Sequence, residues 1–202
     1  MPSPRVQAYI NVVGGPDYLE IGVDRGATFG PIQAKRKIAV DVEFRFPWSN
    51  DNEKGETFFQ MTSDEYFEKH SSPIDGVIFV DGKHTYEQAL RDIENSLRVM
   101  TLSSVLLVDD CNPSSPDEAA PNDEIVVSHG ASWCGDVWKA VAHVRATRAD
   151  LNVRTHPDHP GLAVITVGEP ESLLDIDVRE LNSWTYEDFD SARDMLLNLK
   201  SE

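Results

Sequence analysis

Two short apolar runs that end in acidic residues constrain this chain more than any other feature of its sequence. The first run covers residues 77–80 and the second covers residues 105–108. Runs that are apolar throughout predict strands covered on both faces, as in the interior of a parallel sheet. In open α/β sheets, ligands bind at the carboxyl ends of such strands. The polar side chains expected to converge at this edge are Asp81, His84, Asp109 and Asp110.

Carboxylates crowded at one edge of a sheet predict a bound cation. They repel one another and raise one another's pKa unless a divalent cation neutralises them. Oxygen ligands suit Mg²⁺, and Mn²⁺ or Ca²⁺ would accept the same ligands, so the identity of the ion stays open. The two strand ends therefore predict a metal-assisted site.

The rest of the chain alternates between β-rich runs and helical patterns, which is typical of βαβ units. The predicted strands are residues 18–21, 37–42, 76–80, 105–108 and 162–167. The predicted helices are residues 85–100, a stretch from the N-cap Asp136 to about Arg148, and residues 186–199. A length of 202 residues suits a single α/β domain over residues 1–202.

Two segments rich in Pro, Gly, Asn and Asp predict loops. The first covers residues 46–56, and the second covers residues 112–123. The second loop begins just after Asp110, so it is either a lid or substrate wall over the site or a variable surface loop. The sequence leaves both alternatives open.

The charge balance argues against several classes of partner. The chain has 18 Lys and Arg against 35 Asp and Glu, and its formal net charge is −17, which argues against nucleic acid as a partner. The sequence shows neither a signal peptide nor an apolar stretch near the roughly 20 residues of a membrane helix. We therefore expect a soluble, cytoplasmic protein with no membrane partner.

The two cysteines, Cys111 and Cys134, lack the spacing of a CxxC or zinc-finger motif. We therefore expect both to be ordinary thiols.

A glycine turn after the first predicted strand indicates the class of cofactor. Gly22 and Gly26 stand four residues apart, and we expect a helix to follow them. Dinucleotide folds use GxGxxG, and here Asp24 occupies the middle position, where its charge would oppose a pyrophosphate. A cofactor that ends in an amino acid fits better, because backbone N–H groups can bind its carboxylate and an acid such as Glu20 can bind its ammonium. S-adenosylmethionine meets that description, although glycines also close such turns for purely steric reasons.

Two further positions fit an adenosyl cofactor. Asp41 ends the second predicted strand about 20 residues after the glycine turn, where an acidic side chain can accept both ribose hydroxyls. A solvated strand end is the alternative for Asp41, and Glu43 is its rival for the ribose. The sequence after Thr62 predicts a helix N-terminus, and Ser63 there is a candidate contact for the adenine.

The order of these motifs resembles a known family. The segments that carry the resemblance are residues 18–26, 38–41, 62–64, 79–86, 91–92, 108–110 and 135–139. Together they span about residues 16–167 and resemble class I S-adenosylmethionine-dependent methyltransferases, most of all the small bacterial group allied to macrocin-type and cephalosporin-type O-methyltransferases. The resemblance implies a doubly wound, mostly parallel, seven-stranded Rossmann-like sheet. It also implies helices on both faces of the sheet and one reversed strand near the carboxyl end of the chain. The implied reaction is methyl transfer to an oxygen.

The resemblance also implies roles for the site residues. His84 would be the general base, and a histidine suits that role because its ordinary pKa of about 6.5 leaves it largely unprotonated at pH 7. Asp81 would act beside it in catalysis. The implied metal ligands are Asp81, Asp109 and Asp110. The implied cofactor contacts are Glu20, Gly22, Gly26, Asp41, Ser63 and Asp81.

The acceptor would be a hydroxyl of a small molecule, such as a sugar or a secondary metabolite. Only about 15 residues precede the first strand, so either the site is shallow or a partner chain, as in a homo-oligomer, completes the pocket. Two other functions stay open: a non-catalytic S-adenosylmethionine-binding module and a metal-dependent hydrolase. A binding module has no need of the acid cluster, and a hydrolase has no need of an adenosine pocket.

Overall fold

The apolar runs form one sheet of seven strands in a computed structural model that describes residues 3–50, 55–121 and 133–200. The strands are β1 (Asp17–Ile21), β2 (Arg36–Asp41), β3 (Glu56–Gln60), β4 (Gly76–Val80), β5 (Val105–Val108), β6 (Leu151–His156) and β7 (Leu162–Val167). Their order in the sheet is β3-β2-β1-β4-β5-β7-β6. This order confirms the predicted seven-stranded, Rossmann-like α/β fold.

Five α-helices and one 3₁₀ helix accompany the strands among the described residues. The helices are α1 (Ser3–Val13), α2 (Ser63–Lys69), α3 (Tyr86–Val99), α4 (Val137–Thr147) and α5 (Tyr186–Leu197), and the 3₁₀ helix is Val178–Ser183. The predicted helices correspond to α3, α4 and α5. The sequence patterns missed α1, β3 and β6. β6 is hard to recognise because Asn152 and Arg154 interrupt its apolar residues, and β3 begins at Glu56, inside a segment predicted as a loop.

The backbone divides into two compact units, the first being Met1–Lys83 with Arg91–Leu107 and the second being His84–Leu90 with Val108–Glu202. In the first unit, β1 is buried along its whole length and pairs in parallel with β2 and β4. The register places Ile21 opposite both Val40 and Val80. The three strands therefore reach the same level of the sheet at Ile21, Val40 and Val80. The residues that come next in the chain are Gly22, Asp41 and Asp81, respectively.

The connection from β1 to β2 corrects one prediction. We expected a helix after the glycine turn, but residues 22–35, all of which the structure describes, form turns and contain no helix. Gly30 and Pro31 disfavour helix in this short segment. Phe29 and Ile32 pack into the core instead, with 2% and 4% of their surface exposed. The glycine turn is therefore supported by turn hydrogen bonds and core packing.

The second unit contains the reversed strand pair that the resemblance implied. β6 and β7 run antiparallel, with Leu151 opposite Val167 at one end and His156 opposite Leu162 at the other. Helix α4 packs on α5, and the ring of the buried Trp138 lies 4.7 Å from that of Phe189.

Parts of the two predicted loops fall outside the described residues, namely residues 51–54 of the first and residues 122–123 of the second. Across the described part of the chain, every helix is too short or too polar to cross a membrane. The single domain over residues 1–202 stays a prediction.

Candidate functional site

The glycine turn of the first unit, residues 22–26, packs closely against the backbone at the end of β4. Gly22 has a φ of +84°, and a Cβ at this position would lie 1.9 Å from the carbonyl oxygen of Asp81. Its N–H donates to the carbonyl of Val40 at 2.9 Å. Gly26 has a φ of +71° and lies against the ring of Phe46. Glycine is therefore required here both by the backbone conformation and by close approach.

Asp41 holds this turn through its carboxylate. Its Oδ2 accepts the N–H of Val23 at 2.6 Å and the N–H of Asp24 at 2.7 Å, and its Oδ1 accepts the N–H of Glu43 at 2.9 Å. A carboxylate oxygen has two lone pairs, so one acceptor position on Oδ1 remains by this count. The ribose contact of Asp41 stays a prediction. Glu43, its rival, is exposed.

Glu20 is an acid buried inside the first unit. Its side chain is 1% exposed and accepts a hydrogen bond from the hydroxyl of Tyr18. Burial, with a smaller contribution from the nearby charge of Asp81, raises the pKa of Glu20 to about 8. Glu20 is therefore largely protonated at pH 7, and a bound ammonium group would favour its ionised form.

Ser63 is the first residue of α2, as the predicted helix N-terminus requires. The N-cap is Thr62, whose hydroxyl accepts the N–H of Glu65 at 3.2 Å while the carboxylate of Glu65 accepts the N–H of Thr62 at 3.1 Å. This reciprocal capping box fixes where α2 begins. Ser63 itself is half-buried, and its contact with adenine stays a prediction.

His84 and Asp110 form a close pair in the second unit. The Nε2 atom of His84 lies 3.2 Å from Oδ2 of Asp110, and their side chains are 19% and 12% exposed. On the other side of the ring, Nδ1 lies 2.6 Å from the carbonyl oxygen of Trp133. The indole of Trp133 packs against the imidazole with ring centroids 5.0 Å apart, and it donates to the carbonyl of Ala120 at 2.7 Å.

The contact with Trp133 determines which nitrogen of His84 can act as a base. A carbonyl oxygen only accepts hydrogen bonds, so Nδ1 carries the proton in the neutral ring. Nε2 is then the nitrogen that can take a further proton, and it faces the carboxylate of Asp110, which would stabilise the imidazolium. The carbonyl of Trp133 therefore fixes the orientation of the ring and leaves Nε2, beside the carboxylate of Asp110, as the nitrogen that could act as a base.

The segment before α4 fixes the backbone around His84. Gly135 has a φ of +58°, and a Cβ there would lie 1.7 Å from the carbonyl oxygen of His84. Asp136 donates its N–H to that same oxygen at 3.3 Å and accepts the N–H of Tyr86 at 2.6 Å. Asp136 precedes α4 as predicted, but its side chain makes no capping bond to α4. The helical pattern and the family resemblance both drew attention to this segment, but the carbonyl that orients His84 leaves no mark in the sequence.

Asp109 and Asp110 are both buried at the end of β5, with 8% and 9% of their surface exposed. Asp110 has a φ of +60°, a conformation that few residues with a side chain adopt. Carboxylate oxygens are ligands that a hard dication such as Mg²⁺ prefers, and the roles of Asp109 and Asp110 as metal ligands stay predictions. The third predicted ligand, Asp81, belongs to the first unit, where it is half-buried and directly follows β4.

Comparisons with known proteins agree with this fold. Residues 19–111 match the family described as "Methyltransferase domain". No protein with a curated description matches the sequence.

Three solved structures illustrate the shared fold. The O-methyltransferase TomG of Streptomyces achromogenes, involved in tomaymycin synthesis and crystallised with S-adenosylmethionine, is 13% identical with a TM-score of 0.57, over 82% of this chain and 80% of that one. The methyltransferase PaMTH1 of Podospora anserina, bound to S-adenosylhomocysteine, is 15% identical with a TM-score of 0.59, over 83% and 78%. An O-methyltransferase of Bacillus cereus in complex with S-adenosylhomocysteine is 12% identical with a TM-score of 0.52, over 82% and 80%.

At these identities the solved structures establish a common fold, while the family match links part of the sequence itself to methyltransferases. The matched residues 19–111 include the glycine turn, the strand ends of β2 and β4, and Asp109 with Asp110. By the sequence match over residues 19–111 and by its fold, the chain resembles class I S-adenosylmethionine-dependent methyltransferases.

Proposed function

We propose that this protein transfers the methyl group of S-adenosylmethionine to a hydroxyl oxygen of a small molecule, with the assistance of a divalent cation. The observation that carries the proposal is the orientation of His84, whose Nδ1 is held by the carbonyl of Trp133 at 2.6 Å while Nε2 faces Asp110 at 3.2 Å. The descriptions of TomG and of the Bacillus cereus protein as O-methyltransferases support oxygen as the methyl acceptor.

The first unit supplies the residues proposed for the cofactor. The turn from Gly22 to Gly26 would receive its amino-acid end, and Glu20 would become ionised on meeting its ammonium. Asp41 would accept a ribose hydroxyl with its remaining acceptor position. The other proposed contacts are Ser63 and Asp81. Gly22 and Gly26 lie against the backbone of Asp81 and the ring of Phe46, and they place no side chains of their own in this turn.

The proposed metal ligands are Asp81, Asp109 and Asp110, and Mg²⁺ is the ion we expect. A bound dication of this kind lowers the pKa of a coordinated hydroxyl and anchors a neighbouring oxygen. The buried carboxylates of Asp109 and Asp110 fit such an ion.

The protein's own part in the reaction is to hold the acceptor and remove its proton. Nε2 of His84 would take the hydroxyl proton, and the carboxylate of Asp110 would stabilise the imidazolium that results. Methyl transfer is an in-line displacement at carbon, so the remaining work is to hold acceptor oxygen, methyl carbon and sulfur collinear. No covalent enzyme intermediate is needed.

The acceptor is expected to be a small hydroxylated molecule, such as a sugar or a secondary metabolite. The net charge of −17 argues against a nucleic-acid substrate, and we expect the protein to act in the cytoplasm. A homo-oligomer in which a partner chain completes the acceptor pocket remains part of the proposal.

Calorimetric titration with S-adenosylhomocysteine and S-adenosylmethionine, with and without Mg²⁺, tests the proposal first, with NAD as the control ligand. We expect the adenosyl compounds to bind and NAD not to bind. Transfer of a labelled methyl group to a panel of hydroxylated acceptors then tests catalysis. Absence of adenosyl binding under every condition would overturn the proposal and favour a metal-dependent hydrolase, while binding without transfer to any acceptor would favour the non-catalytic module.

A further inference from the structure

Three side chains of the second unit that have no role in the proposed reaction lie close together, and each offers a different type of metal-ligand atom. They are Glu118, Cys134 and His159, and one carboxylate oxygen, the thiol sulfur and one ring nitrogen all lie within 4.8 Å of one another. Ligands at about 2.0–2.3 Å from a tetrahedral metal lie closer than this to one another, so a small movement would bring all three to bonding distance. We propose that these three residues bind a transition-metal dication, with Zn²⁺ as the preferred ion.

Glu118 is already oriented as a ligand would be. Its Oε2 accepts the N–H and the hydroxyl of Ser114, each at 2.8 Å, and lies 2.9 Å from Nε2 of His159. Burial raises its pKa, but the hydrogen bonds from Ser114 and His159 outweigh burial, so the net effect lowers the pKa of Glu118. Its carboxylate is therefore ionised at neutral pH, which is the form that binds a metal. Partners that orient a ligand in this way are typical of metal centres.

Cys134 is fully buried and fixed by its backbone. Its N–H donates to the carbonyl of Glu118 at 3.0 Å, and the N–H of Gly135 donates to the same oxygen at 2.9 Å. On metal binding the S–H bond breaks, a sulfur–metal bond forms, and the proton passes to solvent.

His159 provides the side open to solvent. Its side chain is 42% exposed, so an ion can reach the cluster past its ring. The turn that carries it is held by Asn112, whose N–H donates to the carbonyl of Pro160 at 2.6 Å and whose side-chain amide donates to the carbonyl of Pro157 at 2.8 Å. Three protein ligands leave a fourth tetrahedral position for water.

The chemistry of the ligands separates this site from the proposed magnesium site. Thiolate and imidazole favour Zn²⁺ and other transition metals, whereas the carboxylates of Asp109 and Asp110 favour Mg²⁺. The three ligands are different residues from those proposed for methyl transfer, and the Cys134 thiol also hydrogen-bonds the carboxylate of Asp110. A bound ion would link three segments that are distant in sequence, since the ligands lie in the loop after β5, just before α4, and in the turn between β6 and β7. A simple ion pair between Glu118 and His159, with an uninvolved thiol beside it, is the alternative.

Titration of the purified, reduced full-length protein with Co²⁺ tests the site directly. Co²⁺ substitutes for Zn²⁺ in tetrahedral sites, and its bond to a thiolate gives a charge-transfer band that carboxylate ligands do not produce. We expect this band at one Co²⁺ per chain, its loss in Cys134→Ser, and its loss when Zn²⁺ is added. The matched control is Cys111→Ser, which should keep the band because Cys111 lies outside the cluster.

A second variant keeps the test sound if Cys134→Ser fails to fold. The exposed position of His159 makes His159→Asn compatible with the fold, and this variant should bind Co²⁺ more weakly and lose the thermal stabilisation that Zn²⁺ gives the parent protein. Asp109→Asn should keep the thiolate band. No thiolate band in the parent protein, a band that survives in Cys134→Ser, or unchanged Co²⁺ affinity in His159→Asn would each overturn the proposal. Adenosyl binding, measured without Co²⁺, is independent of these outcomes.

Discussion

The two units place polar groups at strand ends in different ways. In the first unit the acidic side chains form hydrogen bonds with other groups of the same unit. The carboxylate of Asp41 accepts three backbone N–H groups, and the side chain of Glu20 accepts a hydrogen bond from the hydroxyl of Tyr18. In the second unit two titratable side chains, His84 and Asp110, face each other, and the backbone of residues 133–136 holds the histidine in place.

Polar residues at strand ends of the two units therefore have different surroundings, and we expect them to have different roles. The hydrogen bonds of Asp41 go to its own turn, so its first effect is to shape a surface that a ligand can approach. The contact between Trp133 and His84 leaves one ring nitrogen directed at an acid, so we expect this contact to act on proton transfer. We therefore expect changes in the first unit to act on binding and stability, and changes in the second to act on the chemical step.

The largest expected effect is that of His84→Gln. Glutamine keeps hydrogen-bonding capacity but cannot take a proton, so methyl transfer should fall about 10²- to 10⁴-fold while the affinity for S-adenosylhomocysteine stays the same. Labelled-methyl transfer and calorimetry measure the two quantities. His70→Gln is the matched control, because His70 stacks on Tyr66 in the first unit. If the control loses as much activity, or if binding falls together with the rate, the proposed division of roles is wrong.

The next effect is a dependence of stability on pH through Glu20. Its pKa in the folded protein is about 8 against an ordinary value of 4.5, so its contribution is present below pH 4.5 and is lost as the pH rises toward 8. The free energy of unfolding should fall by on the order of 5 kcal/mol across that window. Glu20→Gln should remove this part of the slope. Denaturant unfolding at a series of pH values measures it, and identical slopes in both proteins would show that Glu20 ionises normally.

A smaller effect is expected for Asp110→Asn. An amide is a poorer ligand for a hard cation than a carboxylate, and it cannot stabilise an imidazolium. The Mg²⁺ concentration for half-maximal methyl transfer should therefore rise about 10- to 100-fold. Asp117→Asn, at an exposed position of the same unit, is the control and should change nothing. Simultaneous loss of cofactor binding in Asp110→Asn would contradict the role assigned to Asp110.

The smallest effect should follow from Asp41→Asn. The amide oxygen can replace only part of the carboxylate, so one or more N–H groups of the turn lose their acceptor, and the free energy of unfolding should fall by about 1–2 kcal/mol. Affinity for S-adenosylhomocysteine should fall as well. The matched variant Glu43→Gln, at the rival position, should leave both unchanged. The opposite result would transfer the ribose contact from Asp41 to Glu43.

Much of the fold could be predicted because central strands are unusual in composition. The runs that became β1, β4 and β5 are buried at every residue, and in β4 and β5 burial on both faces leaves a continuous apolar signal. β6 lacks that signal, because its buried residues alternate with partly exposed ones. The expected helix after Gly26 is absent from residues 22–35 in the structure, because Phe29 and Ile32 bury their side chains from turns. Local propensity could not reveal that packing.

The sequence alone shows that acids follow two apolar strands and that glycines follow a third, in a motif order that resembles that of class I methyltransferases. The contacts of those residues can be seen only in the folded chain. The tertiary structure placed the carbonyl of Trp133 on Nδ1 of His84 across 49 residues of sequence, and it grouped Glu118, Cys134 and His159 from three separate segments. The reason is physical: strand formation follows from local apolar character, whereas hydrogen-bond partners and metal ligands depend on which distant segments pack together.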